Sequence, residues 1–99
     1  MITFHRIACV QAGKMGAAMA FAHEIVAYLK DVQQLQVEIA IPVGGNPNRI
    51  AWSSRYADLA ALEVATEKML KDTKYQQLVA KSADCLISGA TRDSIWRHA

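Results

Sequence analysis

Residues 35–56, LQVEIAIPVGGNPNRIAWSSRY, decide the architecture of this chain. Leu35, Val37, Ile39 and Ile41 alternate with Gln34, Gln36, Glu38 and Ala40, so one side of an extended segment is apolar and the other mixed. Pro42, Gly44, Gly45 and Pro47 break the run, after which Ile50, Trp52 and Ser54 resume it against Ala51, Ser53 and Arg55. Two alternating stretches around a Gly/Pro/Asn break make a β-hairpin. A loop centred between Gly45 and Asn46 sets Ile41 opposite Ile50, Ile39 opposite Trp52 and Val37 opposite Ser54. The apolar side requires a core. The other carries Gln36, Glu38, Ser53 and Arg55, the pattern of a surface left wet or given to a partner.

Outward from the hairpin, Ile2 to Val10 places Ile2, Phe4, Ala8 and Val10 on one side and Thr3, His5, Ile7 and Cys9 on the other, with Arg6 breaking the apolar side. This predicts a first strand. Gln11 to Gly13 turn the chain, and Met15, Ala18, Met19, Ala22, Val26 and Leu29 then recur at helical spacing, predicting a helix that ends near Lys30 and Asp31. Its small residues suit a helix lying close against a sheet. Beyond the hairpin, Asp58 caps a second helix with Leu59, Leu62, Thr66, Met69 and Leu70 on one face. Asp72 caps a third through Tyr75, Leu78 and Val79, and TRDSIWRHA, residues 91–99, reads as a last strand. The order β-α-β-β-α-α-β predicts an α+β ferredoxin-like sandwich, with helices on one face of a four-stranded antiparallel sheet. There is no repeat or linker to divide the chain, so residues 1–99 form a single domain.

Composition narrows the function classes. Of the residues, 53% are hydrophobic and 20% charged, which excludes disorder, and no apolar run approaches the ~20 residues of a membrane span. The net charge of +2 is dispersed, without the basic stripe and stacking aromatics of a nucleic-acid surface. Cys9 and Cys85 have no CxxC spacing and sit among apolar neighbours, as buried reduced thiols of a cytoplasmic protein do. The N-terminus lacks the pattern of a signal peptide. Gly44 and Gly45 are turn residues, not a phosphate cradle, and the three histidines and nine acids provide no ligand pair for a metal.

Residues 49–78, RIAWSSRYADLAALEVATEKMLKDTKYQQL, resemble the dimeric α/β-barrel superfamily, in particular its NIPSNAP-like and antibiotic-biosynthesis-monooxygenase-like branches. The shared features are a Trp-bearing strand, a short capped helix, and the acidic and aromatic pair Asp72 and Tyr75 opening a further helix. The resemblance implies a homodimer whose sheets meet face to face, forming the barrel, with a pocket between each sheet and its helices that could hold a small apolar or aromatic ligand. The superfamily's haem-degrading members use a helical histidine, an asparagine and a tryptophan. Here the asparagines, Asn46 and Asn48, lie in the hairpin loop and His23 lies on the flank of the first helix, leaving Trp52 as the single match and no cofactor expected.

Two functions follow from the resemblance. One is a binding or structural module without enzymatic activity. The other is a cofactor-independent monooxygenase-like enzyme acting on an aromatic or quinone-like substrate, for which His5 or His23 is the residue type that can serve as base. Trp52 would then wall the pocket; otherwise it packs as core under the second helix. Arg6 and Arg55 could clamp an anionic ligand, or pair with an acid such as Glu38 of a second copy. His98 belongs to a frayed terminus.

Overall fold

The computed structural model describes residues 1–99. Its elements run β1 (Ile2–Cys9), α1 (Met15–Gln33), β2 (Val37–Ala40), β3 (Arg49–Tyr56), α2 (Leu59–Lys71), α3 (Thr73–Ala80), a 3-10 turn (Lys81–Asp84) and β4 (Arg92–Arg97). The strands form one antiparallel sheet in the order β2-β3-β1-β4. This is the α+β ferredoxin-like arrangement that the element order predicts.

The hairpin register agrees with the sequence reading where the strands pair: Val37 faces Ser54 and Ile39 faces Trp52. Ile41 departs from it. Pro42 has no N–H to offer the ladder, β2 stops at Ala40, and Ile41 is left 58% exposed. The loop beyond is fixed by Arg49, which donates from Nε to the Asn46 carbonyl at 2.9 Å and from Nη2 to the Gly44 carbonyl at 3.1 Å. Gly45 takes a φ of 76°, which a side chain would strain.

Alignment across the strands sorts the side chains into transverse rows. On the helix-facing side Ile39, Trp52, Arg6 and Asp93 form one row, and Val37, Ser54, Phe4 and Ile95 the next. On the outer side Glu38, Ser53, His5 and Ser94 form a row. α1 buries Ala18, Ala22, Ile25 and Leu29. The predicted stripe therefore shifts by one position, because Ile25 continues the four-three-four spacing and Val26 falls to the flank. Ala18 and Ala22 have no exposed surface, so the helix backbone lies close over Val10, Ile50 and Cys85. Ile25 and Leu29 pack with Leu78 of α3 in a second cluster.

Both predicted caps form. Asp58 accepts from the Ala61 backbone N–H at 2.8 Å, and Asp72 accepts from that of Tyr75 at 3.1 Å. α2 buries none of its residues, and Leu59 and Leu70 of the predicted apolar face are more than half exposed. Trp52 accordingly does not pack under α2. It lies against α1, meeting Phe21 edge-on with ring centroids 6.5 Å apart at 80°. β4 pairs with β1 alone, and every one of its residues is exposed.

Candidate functional site

The helices do not fill the space above the sheet. A cavity of about 200 Å³ remains between β1, β2 and β3 below and α1, α2 and α3 above, and 13 of its 17 lining residues are hydrophobic. Its floor includes Phe4, Ala8, Val37 and Trp52, and its roof Phe21, Ile25, Met69 and Tyr75. Arg6 and Thr91 are the exposed members of the lining, so the mouth opens toward β4, where no helix covers the sheet.

Polar groups are few. Trp52 Nε1 is buried and has no acceptor within the protein. Ser54, 6% exposed, donates to the Tyr56 hydroxyl at 3.1 Å. At the mouth Arg6 grips Asp93 with two bonds, Nε to Oδ1 at 2.8 Å and Nη2 to Oδ2 at 2.9 Å. Those bonds raise the guanidinium pKa above its ordinary value, so Arg6 is charged and its charge is balanced. Burial pushes the Tyr75 phenol up, against the opposing pull of the Arg6 charge, and Tyr75 is a neutral donor at physiological pH.

The other sequence candidates lie elsewhere. His5 is on the outer side of β1, in a polar depression with Thr3, Glu38, Ser53 and Arg55. His23 is an exposed residue of α1 that does not line the cavity. Neither histidine faces the space Trp52 faces. Arg6 and Arg55 fall on opposite sides of the sheet, and Arg6 pairs with Asp93 of its own chain. His98 is tied down: its ring nitrogen bonds Thr3 Oγ1 and its backbone N–H donates to the Met1 carbonyl at 3.1 Å. Cys85 is buried, and burial pushes its thiol pKa above the ordinary value, whereas Cys9 is only half-buried. No three metal-ligating side chains come together.

Sequence reasoning missed Asp93, whose pairing depends on a β1–β4 register spanning 87 residues of chain. It also missed Phe21 as the wall against Trp52. The signal for Tyr75 was present in its position after the Asp72 cap, but its reach into the cavity was not.

No protein-family model matches the chain, and no curated protein is similar to it in sequence. Solved structures are similar in fold. An uncharacterized NIPSNAP domain protein from Burkholderia xenovorans superposes with a TM-score of 0.86 at 15% identity, covering 100% of this chain and 95% of that one. A NIPSNAP family protein from Agrobacterium tumefaciens gives 0.83 at 17% identity, over 99% and 92% of the two chains. An antibiotic biosynthesis monooxygenase-like protein from Nitrosomonas europaea gives 0.74 at 14% identity, over 99% and 98%. The fold is thus the one the sequence resemblance implies.

Proposed function

We propose that this chain, which has the fold of NIPSNAP-type proteins, is a homodimeric module that binds a small apolar or aromatic compound between its sheet and its helices. The cavity carries the proposal. A dry cavity of ~150 Å³ holds benzene, and drug-sized sites start near ~300 Å³, so about 200 Å³ suits a single ring with a short substituent. The dimer half rests on the outer side of the sheet. Ile7, Ala40 and Ala51 lie beside Glu38, Ser53 and Arg55 there, and Trp96 adds a ring that is 64% exposed. A second copy meeting this side would cover it and close an α/β barrel.

The alternative is a cofactor-independent monooxygenase-like enzyme, supported by the fold shared with the Nitrosomonas europaea protein. The cavity favours binding over that reading, because no histidine, carboxylate or lysine lines it to take up a substrate proton, and Arg6 is paired with Asp93.

Two measurements test the proposal. Sedimentation velocity is expected to give twice the 10.9 kDa chain mass, with Arg55→Glu weakening association if Arg55 meets Glu38 of the second copy. A monomer would refute the dimer. Saturating toluene is expected to raise the melting temperature of the chain, and an unchanged Tm would refute the cavity as a binding site.

A further inference from the structure

Arg6 is the one charged residue among the 17 that line the cavity, and it stands at the open end. We infer that the site takes an uncharged compound ring-first, with an acceptor oxygen left at the mouth to receive a hydrogen bond from Arg6, and that Asp93 makes a neutral acceptor preferable there to a carboxylate. This inference rests on the cavity being a binding site.

The Arg6 guanidinium is fixed from two directions. Its Nε and Nη2 edge lies on Asp93, and its central carbon lies 5.5 Å from the centroid of the Phe4 ring in the cavity floor. A guanidinium is flat and holds its N–H groups in a rigid fork, so a carboxylate gripped along one edge leaves the others, both on Nη1 included, directed away from it. The side chain is 46% exposed, which keeps those donors within reach of an entering group. The Tyr75 phenol in the roof feels the same charge, which pulls its pKa down against the larger effect of burial. The charge therefore acts across the mouth, from floor to roof.

The lining orients the ligand. An acceptor oxygen laid against Ile25, Leu29 or Val37 would give up its water for nothing, whereas at Arg6 it exchanges water for a charge-assisted bond. The ring accordingly goes inward and the oxygen stays at the mouth. Asp93 decides which oxygen is preferred. With no acid beside it, Arg6 would draw a carboxylate first. Held by both oxygens of Asp93, it forms a pair without net charge, and an entering carboxylate gains little attraction to offset its large loss of hydration. A carbonyl carries no charge for Asp93 to repel and keeps the Arg6 bond. Asp93 does not itself line the cavity, so it acts on the ligand through Arg6.

Acetophenone, ethylbenzene and benzoate form a set of probes with one ring and similar size, read by titration calorimetry. Acetophenone labelled with ¹³C at its carbonyl adds a direct report, since a hydrogen bond to the oxygen moves that carbon downfield. Acetophenone and ethylbenzene are expected to bind, and benzoate to bind on the order of tenfold more weakly than acetophenone. The carbonyl carbon of bound acetophenone is expected downfield of its position in apolar solvent. The double variant Arg6→Met, Asp93→Ala leaves no lone charge at the mouth. It is expected to weaken acetophenone on the order of tenfold more than ethylbenzene and to abolish the downfield shift, with retained ethylbenzene binding showing that the cavity persists. Absence of the shift in the unmodified chain, equal losses for acetophenone and ethylbenzene, or benzoate binding as tightly as acetophenone would each overturn the inference while leaving the cavity as a binding site. Failure of all three probes to bind would overturn the binding reading itself, and this inference with it.

Discussion

Replacing Asp93 with Asn keeps an acceptor beside Arg6 but removes the negative charge, which releases the guanidinium to attract an anion at the cavity mouth. Two unit charges ~4 Å apart interact by about 1 kcal/mol in water and about 4 kcal/mol at the effective dielectric of a protein surface. The Arg6 side chain is 46% exposed, so the lower part of that range applies. A gain of 1–2 kcal/mol, roughly 5- to 30-fold in benzoate affinity, is therefore expected in Asp93→Asn. The stability cost is expected to stay below about 1 kcal/mol, since both partners of the pair are nearly half exposed. Titration calorimetry with benzoate reads the gain. Because the screening length falls from about 10 Å at 0.1 M salt to about 3 Å at 1 M, the gain should shrink at high salt, while acetophenone binding should change little. A variant that stays folded, binds acetophenone and gains nothing toward benzoate would refute the reasoning that Asp93 sets the charge preference of the site.

Ile50→Ala should cost about 2–5 kcal/mol, since Ile50 has no exposed surface and joins Val10, Ala18, Ala22 and Cys85 in one cluster; urea denaturation checks it, and a loss under 1 kcal/mol would place the core elsewhere. Asp58→Ala should cost about 1 kcal/mol through loss of the α2 cap, read in the same assay, with Asp58→Ser restoring most of it. The Tyr28 hydroxyl donates to Asp72 at 2.6 Å and, with the Tyr75 backbone N–H, holds that carboxyl below the usual carboxylate range. The native state then binds fewer protons than the unfolded one, so the contribution is full above about pH 4 and is lost as pH falls through the lowered native value. The chain should therefore lose more stability on acidification below about pH 4 than Asp72→Asn does, and parallel acid-side curves would exclude this role.

The legible and illegible parts of this molecule divide along physical lines. The hairpin register was readable because a two-residue alternation is tied to a loop centred between Gly45 and Asn46, leaving one pairing that keeps Val37, Ile39, Ile50 and Trp52 on the same side. Both helix caps were readable because a cap is local, set by the backbone within three residues of Asp58 or Asp72. The rotation of α1 was not, because Ile25 and Val26 are adjacent and equally apolar, and only the sheet beneath chooses between them. Arg6 stood out as a charge on an apolar side, but its partner could not be read, since the β1–β4 pairing joins chain ends with no local signal. For the same reason the histidines attracted attention by residue type, whereas the buried Trp52 Nε1 that finds no acceptor is visible only once the surrounding side chains are placed.

The most direct test of the cavity is a crystal structure under xenon pressure, because xenon enters dry apolar space regardless of ligand chemistry. A xenon peak bounded by Phe21, Trp52 and Tyr75 is the expected result. Side chains closed over that space, with no peak between α1 and the sheet, would contradict it.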